Sequence, residues 1–128
     1  MIELSPEHDI VARQIVDAAF SIHKTLGPGL LESVYEQCLA YELRSRSLQV
    51  ECQVALPVRY RDIQIEIGFR MDLIVNDLIL VEVKATERII PVHEAQLLTY
   101  LKFSGKHLGL LINFNVPLIK DGIRRLIG

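Results

Sequence analysis

Asp72, Glu82 and Lys84 are the residues of this sequence best placed to do chemistry. Segment 67–75 reads Ile-Gly-Phe-Arg-Met-Asp-Leu-Ile-Val, and segment 78–85 reads Leu-Ile-Leu-Val-Glu-Val-Lys-Ala. Phe69, Met71, Leu73 and Val75 alternate along the first; Ile79, Val81, Val83 and Ala85 alternate along the second. A strand sends successive side chains to opposite faces, so each segment gains an odd-numbered, core-facing side. Arg70 and Asp72 fall on the other side of the first strand, Glu82 and Lys84 on that of the second. Asn76-Asp77 between them is turn chemistry. If Val75 pairs with Ile79 around a three-residue loop, Asp72 faces Glu82. Pairing Val75 with Leu78 would put the acids on opposite faces and turn an apolar row outward, the slip a buried face forbids. The pattern therefore predicts two carboxylates and an ammonium converging on one face.

Such a pair suits a hard divalent cation. Mg²⁺ takes oxygen ligands octahedrally, with one or two carboxylates completed by waters and substrate phosphate. The ion lowers the pKa of a bound water and neutralises charge developing on a phosphoryl oxygen. Lys84 could orient that water or stabilise pentacovalent phosphorus. The same residues could equally form a cross-strand salt bridge, Lys84 with Asp72 or Glu82, on a solvated face.

At 128 residues the chain is expected to be one domain, 1–128, long enough to bury a core. No apolar run approaches the ~20 residues that cross a bilayer. The acidic start, Met-Ile-Glu-Leu-Ser-Pro-Glu-His-Asp, lacks a signal-peptide layout. Cys38 and Cys52 have no zinc spacing and read as reduced core residues of a cytoplasmic protein. A net charge of −2 gives no global attraction for nucleic acid, so such binding needs a local patch. The half-hydrophobic composition leaves room for self-association, as in a homodimer.

The elements that must position the acids follow from periodicity. Residues 7–25 predict an amphipathic helix with Ile10, Val11, Ile15, Ala18, Ala19, Ile22 and Leu26 inward, Ser5 as cap and Pro6 in its first turn. Gly27-Pro28-Gly29 redirects the chain into a second helix, about 30–46, with Leu31, Val34, Cys38, Leu39 and Leu43 inward. Residues 49–60 alternate as a strand with one exposed face, and Pro57 places it at an edge or a bulge. After Lys84, a helix over 92–104 is expected to turn Ala95, Leu97, Leu98, Leu101 and Phe103 mostly inward and to end at Gly105. Residues 107–114 are a continuous apolar run, a strand buried on both faces. In the tail, 116–127, Gly122 disfavours a helix and favours a short closing strand. Strand, helix, strand across 78–114 is a crossover, which makes those strands parallel. The expected architecture is α/β, a mixed central sheet flanked by helices.

Asp72 followed by Glu82-x-Lys84, on the second and third strands of a sheet that follows a helix, resembles the PD-(D/E)XK nuclease superfamily. Gly29-Leu30-Leu31-Glu32-Ser33-Val34-Tyr35 matches the signature of its small GxxExxY proteins, and Gln96-Leu97-Leu98-Thr99-Tyr100 matches their Gln-Leu-x-x-Tyr pattern. The resemblance implies a restriction-endonuclease-like core and Mg²⁺- or Mn²⁺-dependent hydrolysis of DNA or RNA. It implies that Asp72, Glu82 and the Val83 carbonyl hold the metal, with Glu32 reaching it directly or through water. Lys84 would be the catalytic lysine, and Gln96 would position the water or the scissile phosphate. Tyr35 and Tyr100 would either bond a site carboxylate or pack beneath the motif.

Helical spacing places Glu32, Tyr35 and Glu36 on one face, and Gln96 with Tyr100 on another. Taken alone, Glu32 is also an ordinary first-turn acid favoured by the helix dipole. Met71 stands where the superfamily name leads one to expect proline. Basic residues are scattered rather than striped; Arg70 is placed to contact phosphate or to pair with Asp72, and His93 reads as a helix-start residue. Two other functions fit the same residues: a nuclease-fold module that binds nucleic acid or protein without turnover, and a structural homo-oligomer with ion-paired acids.

Overall fold

The computed structural model describes residues 4–128; residues 1–3, the first of the stretch read as leaderless, lie outside them. Helix α1 (Pro6–Leu26) opens with proline at its start and Ser5 as N-cap. His8 Nδ1 accepts the Ser5 N–H at 3.0 Å, satisfying a donor that the helix start leaves orphaned. Glu7 and Asp9 lie in its first turn, His23 and Lys24 in its last, each complementing the helix dipole. The chain then turns through Gly27-Pro28-Gly29 into α2 (Glu32–Ser45). Gly29 holds φ at 101°, a conformation that costs glycine nothing and other residues a great deal.

Strands β1 (Val50–Tyr60), β2 (Ile63–Val75) and β3 (Ile79–Lys84) follow, then α3 (Pro91–Ser104), β4 (Leu108–Asn113), a 3₁₀ turn (Ile119–Gly122) and β5 (Ile123–Ile127). They form one five-stranded sheet in the order β1-β2-β3-β4-β5. β3 and β4 run parallel, joined across α3, and every other neighbouring pair is antiparallel. The sheet is mixed and flanked by helices, as the patterning implies. Pro57 sits on the edge strand and at an irregularity, where the β1–β2 register shifts between Leu56 and Val58. Gly68 belongs to the same bulge, since a Cβ there would collide with the Leu56 carbonyl.

Two cores sandwich the sheet. On one face α1 and α2 bury Ile15, Leu39 and Leu43 against Leu73, Val81 and Phe114. On the other, α3 buries Leu97, Tyr100 and Leu101 against Met71, Leu80 and Leu111. This corrects the reading of a single odd-numbered core side: Leu73 and Val75 face α1 and α2, whereas Met71 packs with the α3 cluster and Phe69 leans on Tyr100. The change of side falls at Gln53 and Asp72, which the β1–β2 ladder skips between Cys52–Leu73 and Val54–Met71. Gln53 takes a left-handed φ of 51° there, and that twist re-aims the ribbon beyond it.

The helical stripes are also rotated from expectation. Ile10 and Leu26 on α1, Leu31 and Val34 on α2, and Ala95, Leu98 and Phe103 on α3 are exposed, while Tyr35, Ala40 and Tyr100 take inward places. Tyr35 and Tyr100 carry large rings, and those rings set the docking angle of their helices. Cys38 is half-buried and Cys52 exposed; both are free thiols, so Cys52 is not a core residue. Gly122 ends the 3₁₀ turn and leads into the expected closing strand, its missing Cβ making room for the Asn113 carbonyl. No described helix is long and apolar enough to cross a membrane.

Candidate active site

The pairing Val75↔Ile79, Ile74↔Leu80, Leu73↔Val81 is the odd-loop register that the apolar rows require. Asn76 and Asp77 supply the turn with left-handed φ values of 52° each. Beyond Leu73 the two strands part, and side chains replace the ladder. The Asp72 N–H donates to Glu82 Oε1 at 3.1 Å, and the Val83 N–H donates to Asp72 Oδ2 at 2.9 Å. Each carboxylate is thus fixed by the main chain of the opposing strand. One oxygen of each is committed to that task; Asp72 Oδ1 has only a long contact, 3.4 Å, from the Gln53 amide.

Glu82 is not on a solvated face: it is 4% exposed, because α3 covers the side of the sheet that carries Leu80 and Glu82. Burial, and then the Asp72 charge, push its carboxyl up to about 8, against the opposing pull of the Asp72 N–H and of Lys84. Lys84 is half-buried beside Asn113 on β4 and makes no ion pair with Asp72 or Glu82 among the described residues. The cross-strand salt bridge is therefore not the arrangement adopted. The loop after Lys84 is held by Asn113, whose Oδ1 accepts the Thr86 N–H (3.1 Å) and whose Nδ2 donates to the Thr86 carbonyl (3.0 Å).

From α2, Glu36 reaches the acids more closely than Glu32 does. The Gln53 amide donates to Glu36 Oε1 at 2.8 Å, and Glu36 lies within hydrogen-bonding reach of Asp72. Burial, then the Asp72 charge, raise the Glu36 carboxyl to about 7. Glu32 is exposed and lines the same cleft of about 370 Å³ together with Glu36, Gln53 and Asp72. Reasoning from sequence assigned no role to Glu36 or Gln53. The available signal for Glu36 was its spacing of four from Glu32; Gln53 had none, being one polar residue on an alternating strand.

The remaining candidates divide. Tyr35 is fully buried and structural: its hydroxyl donates to the Gly27 carbonyl (2.6 Å) and accepts the Leu30 N–H (3.1 Å). Its ring stacks on Phe114 with centroids 4.6 Å apart. The Gly-x-x-Glu-x-x-Tyr stretch is thus a turn-and-helix clasp, the tyrosine fastening the loop that presents Glu32 to the cleft. Tyr100 packs against Phe69 at 5.3 Å yet keeps its hydroxyl near the acids. Burial, then the Glu82 and Asp72 charges, push that hydroxyl to about 12, and Gln96 bonds to it from the preceding turn. Arg70 does not pair with Asp72; its guanidinium donates to the Gln53 carbonyl at 3.2 Å, at the rim. His93 is a helix-start residue, its Nδ1 accepting the Ile90 N–H at 3.1 Å.

No group of three or more His, Cys, Asp or Glu side chains among the described residues is gathered tightly enough to hold a metal ion. The donor chemistry nevertheless fits a hard cation: carboxylates from Glu36, Asp72 and Glu82 crowd together, and two of them are raised because that negative charge lacks a counterion. An α/β core with an acid pair where two central strands part, and a lysine two residues on, is the restriction-endonuclease-like arrangement. A family model described as the PD-(D/E)XK nuclease superfamily matches residues 9–126, and the chain belongs to that superfamily. No curated protein and no solved structure matches it.

Proposed function

We propose that this protein is a Mg²⁺- or Mn²⁺-dependent phosphodiesterase of the GxxExxY type, a single nuclease-like domain hydrolysing DNA or RNA. The observation that carries the reading is the reciprocal clasp of Asp72 and Glu82, each held by the other strand's main chain so that both carboxylates meet where β2 and β3 part. Asp72, Glu82 and the Val83 carbonyl would hold the metal, with Glu32 or its neighbour Glu36 completing the set from α2. The ion, when bound, supplies a water of lowered pKa and charge neutralisation at phosphorus. Lys84 places its ammonium beside Glu82 and offsets charge developing on the phosphoryl oxygens. Gln96 and Tyr100, joined to each other beneath α3, present amide and hydroxyl donors from the side opposite α2. Tyr100 remains a hydrogen-bond donor across the physiological range because its hydroxyl is raised.

Calorimetric titration of Mn²⁺ tests the site before any substrate is chosen. Wild type binds and Asp72→Asn binds at least tenfold more weakly; equal affinity overturns the assignment. Cleavage of DNA or RNA with Mn²⁺ that survives unchanged in both Asp72→Ala and Lys84→Ala would place the activity elsewhere. The competing reading, a nuclease fold that binds without turnover, draws support from the commitment of one oxygen of each acid to the main chain. It predicts metal binding with no cleavage of any nucleic acid.

A further inference from the structure

The distal part of the β1–β2 ribbon stands away from both cores. Its paired rungs run from Ala55↔Arg70 through Arg59↔Gln64 to Tyr60↔Ile63, a reach of roughly 20 Å at strand rise. Residues directly opposed share a face, so Tyr60 with Ile63 and Val58 with Ile65 make one side apolar. The other side carries Arg59 with Gln64 and, an even number of residues along β2, Glu66 and Arg70. Arg61 stands at the tip, over the Tyr60 ring at 5.3 Å.

Among the described residues Arg59, Arg61 and Arg70 make no ion pair, whereas Arg46, Lys106, Arg124 and Arg125 are each neutralised by an acid. Three unneutralised guanidinia therefore gather on one projecting ribbon, against Asp62 and Glu66, in a chain whose net charge is −2. Arg70 bonds to Gln53 and so anchors the row at the edge of the acid cleft.

We propose that this ribbon is an arm that lays its polar face into the major groove of duplex DNA, with the three arginines on flanking phosphates and the Arg59–Gln64 rung toward base edges. The proposal rests on the nucleic-acid reading given above and names its substrate form. A two-stranded ribbon matches a groove about 12 Å wide, and Arg and Gln are the side chains that read purine edges there. The deep, narrow major groove of duplex RNA excludes it. Single strands are held by rows of stacked aromatics, and here Tyr60 is on the other face under Arg61 while Phe69 is engaged by Tyr100.

A second copy of the chain is the rival occupant of the apolar face. Tyr60, Ile63, Ile65 and Phe69 are 58%, 56%, 43% and 40% exposed, which amounts to roughly 400 Å² per copy. Two such faces fall short of the ~1,200 Å² that stable interfaces bury. The row alone does not hold a dimer.

Fluorescence anisotropy with a labelled 24-base-pair DNA duplex, in Ca²⁺ to prevent cleavage, tests the arm. The probe arms are the same sequence as single-stranded DNA and as duplex RNA. The variant is Arg59→Ala/Arg61→Asn, asparagine being chosen because Arg61 holds φ at 51°. It should lose at least tenfold in duplex affinity and about two from the salt-dependence slope, while Lys102→Ala/Lys120→Ala loses neither. Unaltered Mn²⁺ titration and melting temperature verify that the variant is folded with its site intact. An unchanged slope, or single strands bound as tightly as duplex, overturns the proposal. So does a sedimentation dimer that Ile63→Asp converts to monomer. Failure of the nuclease reading is seen separately, as absent cleavage and absent Mn²⁺ binding in a protein whose duplex affinity still depends on Arg59 and Arg61.

Discussion

Replacing Glu82 with glutamine removes a buried charge while keeping an oxygen for the Asp72 N–H, so it isolates the electrostatic cost of the site. Glu82 is 4% exposed and its carboxyl rises from 4.5 to about 8 on folding, chiefly through burial and then through Asp72. A raised acid binds its proton in the folded state and releases it in the unfolded state between those two values. Metal-free stability must therefore fall as pH climbs from 5 to 8, at no more than about 1.4 kcal/mol per pH unit for one proton. Across that window the loss reaches roughly 3–4 kcal/mol. Glu36 slopes the same way, but its shift comes from burial, Asp72 and Glu32, so it persists in the variant and cancels in the difference. Urea denaturation in EDTA at pH 5, 6, 7 and 8 is the assay. Wild type and Glu82→Gln should agree near pH 5 and diverge steadily to pH 8, with the variant the more stable. Mn²⁺ competes with the proton, so it should stabilise wild type increasingly toward pH 8 and the variant little. Parallel stability curves for the two proteins would refute the reasoning, since they would mean that Glu82 carries no differential proton.

Tyr35→Phe deletes the hydroxyl that donates to Gly27 and accepts from Leu30, and should cost about 1–3 kcal/mol in chemical denaturation because both groups lose a buried partner. Asn113→Leu strips the Thr86 N–H and carbonyl of their partner, and should cost about 2–4 kcal/mol while hydrogen exchange speeds up across 86–90. Gly68→Ala drives a methyl into the Leu56 carbonyl and should lower stability by about 1–3 kcal/mol; an unchanged urea midpoint would show that the bulge yields freely. Mn²⁺ affinity in wild type should rise steeply between pH 6 and 8 as Glu82 loses its proton, and a flat titration series would exclude Glu82 as a ligand.

What the chain's order of residues determined unaided was whatever a period of two or of 3.6 encodes. The register that sets Asp72 against Glu82 is one case, since any other would expose Leu73 or Val81. The parallel β3–β4 crossover, the stop at Gly105 and the edge placement of Pro57 are others, each resting on local backbone chemistry. Tertiary structure alone decided what covers each face. It put α3 over Glu82, turning an expected solvated acid into a buried one, and brought Glu36 from α2 and Gln53 from the edge strand to Asp72. It also left Cys52 and the far β1–β2 ribbon uncovered. Periodicity reports that a side of an element is apolar; only the docking of segments distant in sequence establishes how far that side is buried, and on burial depend the charges this site must manage.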